Sequence, residues 1–498
     1  MSLAAAALRD RTDGIDERGW LARSPSPLML AALVAGAGVT VGAAAALGPG
    51  VGLGVMSAIA FGIAVLWRPA LGGLALVALA PVTSGLRRGL PIPGVRLSEA
   101  LILAVATLVL VPASRRQTVP WLALDWLTLA FVGGSVTLGL LGLVRNLQPF
   151  TAESLGSLVG PLQFLLLYRT VRTALATPRR RRQALRLALF SSVAVSLISV
   201  LQQLDIGPAR RLVAALTGSQ VFASWGYRNF PRATGPFPHW LPLAGYLLVI
   251  LLLTTCLLLD PEGGRVLHPS LLAAVLATAG AAMVLSLTLA GFFGVVAGAL
   301  LLGRWAGRFR PVLACLVGGV VLATLLFWPL LAKRFEFQFG GGGGRNPLVA
   351  ESIAYRVDIW THDYLPALSG WWLAGYGPLP PAEIHWKATE SQYVMLVLRG
   401  GLPLLALYGA LLWGLVVRAH GLLHHPDVEQ RVLARVVIAT VIVLLPMQLV
   451  FPYFTNSGLP QLFWLLPAML AAGSAPASAG RAGAGHNRLA AARAPARC

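Results

Sequence analysis

Long stretches almost free of charge limit what this chain can fold into. Segments such as 27–47, 239–259, 269–288 and 430–451 are apolar for 20 residues or more. About 20 such residues in a helix span the hydrocarbon core of a bilayer. A helix closes its backbone hydrogen bonds internally, so it can cross where no water is available. The same runs would suit buried core helices, but one soluble core could not absorb so many. Of the 498 residues, 57% are hydrophobic and only 11% charged, against about 25% charged in a soluble domain. The reading is a polytopic membrane protein of class all-α.

The charges give the expected path. The formal net charge is +21, and basic groups flank the spans: Arg115 and Arg116, Arg179 to Arg182, the set Arg304, Arg308 and Arg310, and the tail Arg481, Arg488, Arg493 and Arg497. Placing them in the cytosol gives about fourteen spans with both termini inside, and one misjudged hairpin would leave about twelve. The spans expected are approximately 27–47, 50–67, 70–86, 98–113, 120–143, 154–177, 183–204, 239–259, 269–288, 290–303, 311–332, 392–417, 430–451 and 457–473. Residues 1–26 are polar and read as a cytosolic tail rather than a cleavable signal. Residues 474–498 read as a basic cytosolic tail, and 27–473 as the membrane domain. Cys256 and Cys315 fall in apolar spans and Cys498 ends the chain, so neither a disulfide framework nor a metal cluster follows.

Two long loops are expected on the opposite side, about 205–238 and 333–391. Long loops in compact membrane proteins are functional or disordered. Both carry basic residues that the topology rule does not ask for. The first holds Arg210, Arg211, Arg228 and Arg232, with Asp205 as its only acid; the second holds Lys333, Arg334, Arg345, Arg356 and Lys387. Arginine grips phosphate through a planar fork, so the cluster points to an anionic ligand, or, equally, to contacts with lipid headgroups. Gly340 to Gly344 is a hinge-like run. After it, Ile353, Val357, Trp360, Tyr364 and Leu368 recur at helical spacing over 350–369. That helix suits an interfacial element or a lid, with Arg356 and Asp363 beside Trp360.

Several of these residues stand in a familiar order. Arg232-Ala233-Thr234-Gly235-Pro236-Phe237-Pro238-His239, followed by Gly245-Tyr246, resembles the Arg-x-x-Gly-x-Phe signature of the O-antigen ligase and polymerase family. Arg356-x-x-x-Trp360, Gly375-Tyr376-Gly377, Glu390-Ser391-x-Tyr393 and Gly400-Gly401-Leu402 follow in the order of that family's large periplasmic loop and next span. The resemblance covers roughly residues 150–470. It implies a GT-C-like glycosyltransferase of the bacterial inner membrane. Such an enzyme joins sugar chains carried on undecaprenyl pyrophosphate to an acceptor glycan or lipid, without a metal or other cofactor. Nucleic acid is not among the implied partners, whereas membrane lipids and envelope-assembly proteins are.

A pyrophosphate leaving group needs its growing charge stabilised, and arginines do this where no divalent ion is held. Arg232 and Arg356 are the first candidates for that clamp, with Arg211 and Arg228 in support. Glu390 is the candidate base for the attacking hydroxyl, with His239, His362 and His385 as competitors. Trp360, His362, Tyr393 and His239 are the further candidates for substrate contact. Each has a plain alternative: ion pairing for the arginines, a helix-start acid or a partner of Lys387 or Arg399 for Glu390, apolar packing for Trp360, an interfacial hydrogen bond for His239.

Two departures from the family pattern matter. Ligases of the family show a His-Asn pair where this chain has Glu390-Ser391, which turns the reading towards polymerase. Many relatives carry a Ser-Arg pair where this chain reads Ser286-Leu287-Thr288; Arg334 or Arg345 are the candidates to replace that arginine. A transporter or flippase is the other reading. It would place ionisable residues near the bilayer midplane, and here Arg399 is the main such residue. A noncatalytic scaffold is a third.

Overall fold

The structure is a computed structural model. It describes residues 49–89, 95–116, 120–223, 231–339, 351–379, 389–455 and 457–473. The tails 1–26 and 474–498, the span 27–47, the glycine run 340–344, Arg228, Arg345, His385 and Lys387 lie outside those residues. What is described is a bundle of apolar helices with no β-strand among the described residues. Seven helices are long and apolar enough to cross a membrane, and five shorter apolar helices lie with them. The chain is a multi-pass membrane protein.

The helices fall where the apolar runs fall. They are α1 (Pro49–Trp67), α2 (Pro69–Thr83), α3 (Leu97–Arg116), α4 (Ala123–Arg145), α5 (Ala152–Val159), α6 (Leu162–Ala174) and α7 (Pro178–Gln203). A short α8 (Ala209–Thr217) follows, then α9 (Trp240–Leu259), α10 (Pro269–Leu285), α11 (Leu289–Trp305) and α12 (Phe309–Phe339). The large loop contains α13 (Glu351–Ile359), a π-turn (Trp360–Tyr364) and α14 (Leu365–Ala367); α15 (Gln392–His420), α16 (Val428–Val450) and α17 (Leu459–Ala472) complete the bundle. The single span expected over 154–177 is instead two helices. Gly160 and Pro161 separate α5 from α6, since proline has no N–H to continue the ladder and disfavours helix in the residue before it.

At the centre of the bundle α9 packs on α7, α10, α11 and α16, and α17 packs on α2, α6, α9 and α16. The described side chains of α17 between Leu459 and Ala472 are all buried. At one end of the bundle, charged side chains pair off. Asp260 takes two hydrogen bonds of 2.8 Å from Arg431, and Arg182 reaches Glu429 at 2.6 Å. At the same end Asp125, fully buried, accepts from Arg172 and lies 3.2 Å from Arg169. Removing one member of a buried ion pair strands the other charges and costs about 3–5 kcal/mol. Asp125→Asn is therefore expected to lower the melting temperature in detergent markedly; an unchanged melting curve would mean the three groups are not held together.

The opposite end carries both long loops, and its backbone is interlocked by glycines. α15 breaks at Gly400 and Gly401, whose φ values are −148° and +70°. Gly375, at φ +72°, sits against that break: a Cβ there would lie 2.5 Å from the Gly400 nitrogen. The Tyr376 and Gly377 N–H groups donate to Leu398 O at 2.6 and 3.1 Å. So the Gly-Tyr-Gly and Gly-Gly-Leu segments are two halves of one joint. Gly401→Ala would put a Cβ 2.6 Å from the Leu373 carbonyl carbon in a conformation that L side chains rarely adopt. The strain alone is on the order of 1–3 kcal/mol, and a clear drop in melting temperature is expected.

α12 stands apart. Among the described helices its main packing partners are α11 and α13. Of its described side chains only Val312 and Arg334 are buried. A helix apolar on every side and exposed on nearly all of them faces lipid. It kinks at Phe327 (φ −121°, ψ 19°), two residues before Pro329. The helix continues through residue 339, so residues 333–339, expected to open the large loop, belong to this helix instead.

Candidate functional site

The loop end gathers three of the arginines named above. Arg232 lies in the segment between α8 and α9. The surrounding signature residues explain why it is held there. Gln202 Oε1 accepts the Thr234 and Gly235 N–H groups at 3.0 and 2.9 Å. Gly235 has φ +56°, and a Cβ would meet Ser199 Oγ at 2.7 Å. Phe237 is fully buried, close under Gly458. The glycine and phenylalanine of the signature are thus packing residues, and they present Arg232. Its guanidinium lies 4.4 Å over the Trp240 ring, a favourable cation–π placement.

Arg356 is fixed by three bonds. Nε donates to Val450 O at 2.9 Å, Nη1 to Ser352 O at 2.7 Å, and Nη2 to Glu390 Oε2 at 2.8 Å. A guanidinium has five N–H donors. The two not used in these bonds are available to a ligand. Arg334, the buried polar residue of α12, is the third member: its charge acts on Arg232, and that of Arg356 acts on Arg334. Arg334 is thus the candidate replacement that the structure brings into the cluster. Leu287, buried at φ 52°, occupies the turn before α11. Leu285 O of that turn accepts the Ala233 N–H at 3.0 Å, beside Arg232.

Crowding of positive charge shows in the titration of the group. Burial, and then Arg334, hold the Arg232 guanidinium down to about 9. His239, the N-cap of α9, is held down to about 3 by burial and then by Arg232 and Arg356. It is therefore neutral across the physiological range, and its Nδ1 accepts the Leu241 N–H at 3.3 Å. A base so weakened is a poor proton acceptor at neutral pH.

Glu390 remains as the carboxylate of the site. It sits at φ 51°, one residue before the α15 N-cap Ser391, an uncommon conformation for a side chain of this size. Among the described residues its ion-pair partner is Arg356 rather than Arg399, and Lys387 lies outside those residues. Trp360 Nε1 donates to Thr389 O at 2.9 Å and so pins the backbone just ahead of Glu390. Trp360 acts here through the backbone. Tyr355 and Tyr453, which sequence reading passed over, feel the charges of Glu390 and Arg356. Burial raises the Tyr453 hydroxyl, which has no hydrogen-bond partner among the described residues. The Phe451-Pro452-Tyr453-Phe454 run between the last two spans was the signal available.

Other candidates fall elsewhere. Arg211 is on the exposed face of α8, with no described contact to the cluster. His362 is exposed and pairs with Asp358 at 3.2 Å. Tyr393 donates its hydroxyl to Leu445 O at 2.6 Å and ties α15 to α16. The stripe expected over 350–369 also changes. Ile353 and Val357 are exposed, whereas Ile359, Tyr364 and Leu368 are buried. The π-turn inserts an extra residue into the helical repeat, so residues five apart face the same side.

No protein-family model matches this chain, and no curated protein matches it either.

Proposed function

We propose that the protein is a membrane glycosyltransferase that polymerises, or ligates, glycan units carried on undecaprenyl pyrophosphate, at the periplasmic face of a bacterial inner membrane. The observation that carries this reading is the cluster of Arg232 and Arg334, both buried, with the half-buried pair Arg356 and Glu390, at the end of a lipid-facing helix. Arginine charges that act on one another at one place fit a ligand with several negative charges. The donor's polyprenyl tail lies along the exposed surface of α12, and Arg334 reaches the headgroup from that same helix.

In the reaction an acceptor hydroxyl attacks the anomeric carbon of the donor sugar. The bond from that carbon to the pyrophosphate oxygen breaks, the glycosidic bond forms, and undecaprenyl pyrophosphate leaves with the bonding pair. The arginines stabilise the charge that grows on the leaving oxygen. Glu390, positioned by Arg356, takes the hydroxyl proton on Oε1. No Asp-x-Asp motif occurs in the sequence, and the charge is assigned to arginine. Activity is therefore expected to survive EDTA; abolition by EDTA with rescue by magnesium would contradict the arginine clamp.

The test in cells is a deletion strain complemented at matched membrane abundance, with surface glycan as the readout. A polymerase restores long chains where the deletion leaves single repeat units; a ligase restores attachment of chains already made. Restoration by variants lacking all of Arg232, Arg356 and Glu390 would remove the basis for an enzyme.

A further inference from the structure

A polar cavity lies between the amino-terminal helices and α15. Its volume is about 360 Å³, within the range of small-ligand pockets. Arg88, Arg96, Glu99, Glu153 and Arg399 line it. Gln392, two residues beyond Glu390 in the chain, is part of its wall.

Arg399 is the informative residue. It lies seven residues into α15, about 10 Å along the helix axis, just before the Gly400–Gly401 break. It lines the cavity together with Glu99 and Glu153 and forms no ion pair with either. Ionisable groups at such depth mark ligand sites. Glu99 is already engaged by Arg88 at 2.9 Å and accepts the Arg96 backbone N–H at 3.1 Å. Two further oxygens on the wall, Ser157 Oγ and Gln163 Oε1, are buried and have no hydrogen-bond partner among the described residues. An amide oxygen only accepts, so Gln163 Oε1 asks for a donor that a phosphodiester oxygen cannot give and a sugar hydroxyl can. Phe131, Phe454 and Trp464 add apolar surface suited to the C–H face of a sugar ring.

We propose that this cavity holds an acidic sugar of the acceptor glycan, with its carboxylate on Arg399 and Arg96 and its hydroxyls on Ser157 and Gln163. The role as acceptor site rests on the transferase reading above. The binding itself does not.

The test uses the full chain in phosphatidylcholine nanodiscs and saturation-transfer NMR with three probes: glucuronate, glucose and glycerol 1-phosphate. Glucuronate is expected to bind at least about tenfold more tightly than glucose, since a charge-assisted bidentate contact supplies roughly that difference. Arg399→Gln and, at the mouth, Arg96→Gln should each lower glucuronate affinity by about tenfold or more, while Arg232→Ala leaves it unchanged. Arg96 lies outside the spans, so its variant reports even where the Arg399 variant fails to fold. Equal binding of glucose and glucuronate, or glucuronate binding untouched by both substitutions, overturns the proposal. Glycerol 1-phosphate binding as tightly as glucuronate, with the same losses, overturns it in favour of a phospholipid headgroup site. Glucuronate binding as described in a protein that transfers no sugar keeps the cavity assignment and removes the transferase reading.

Discussion

Arg356→Ala is expected to lower glycosyl transfer by about 10²–10³-fold, the usual cost of removing one preorganised donor aimed at developing charge. The expectation is sharper than for a surface arginine because Arg356 serves two groups at once. Two of its donors are spent on Ser352 O and Val450 O, which fix the guanidinium plane, and a third holds Glu390. Arg356→Lys should also be impaired, since an ammonium keeps the charge but cannot make this fork of bonds. Steady-state rates on purified, folded protein check both. Full activity in the lysine variant would reduce Arg356 to a simple positive charge.

Glu390→Gln is expected to cost about 10²–10⁴-fold in turnover, the range for loss of a general base. Glutamine keeps the shape and an oxygen for Arg356, so binding of undecaprenyl pyrophosphate should persist while turnover falls. Glu390→Gly separates chemistry from folding. Glycine relieves the φ 51° backbone, which offsets part of the lost ion pair. This variant should melt within about 2 kcal/mol of the wild type and be equally inactive. Retained turnover in either variant would move the proton to another acceptor, and Tyr453, buried in the same group, would be the next to change.

The bundle was legible because crossing a bilayer imposes a crude rule: about 20 apolar residues and little charge. Apart from α8, α13 and α14, which lie in the expected loops, every described helix overlaps an expected span, and Gly160-Pro161 is the place where a local rule, proline's missing N–H, outweighed the run's hydropathy. The site was legible in membership but not in arrangement. Arg232, Arg356 and Glu390 were named from their order along the chain, yet nothing in one sequence states that Arg356 binds a carboxylate 34 positions later. Arg334 was named in the basic set of the second loop and as a substitute, but as a loop residue; its burial depends on α12 extending to Phe339 beyond the kink. The stripe over 350–369 failed for a geometric reason, because a 3.6-residue period cannot foresee a π-turn. The joint between Gly375 and Gly400–Gly401 depends on backbones approaching to near contact, and glycine spacing alone does not reveal which glycines meet. Arg399 stood out in the sequence as a charge inside a span, and in the structure it lines a cavity.

The central claim is that the protein transfers sugar chains with loss of undecaprenyl pyrophosphate. The most direct measurement supplies purified full-length protein, in nanodiscs, with an undecaprenyl-pyrophosphate-linked oligosaccharide as both donor and acceptor. Free undecaprenyl pyrophosphate and chain length are then followed together by mass spectrometry. The account predicts one undecaprenyl pyrophosphate released for each unit added, with both signals lost in Arg356→Ala and Glu390→Gln. Binding of the lipid-linked donor with neither release nor elongation, or movement of the intact donor across the bilayer, would contradict it.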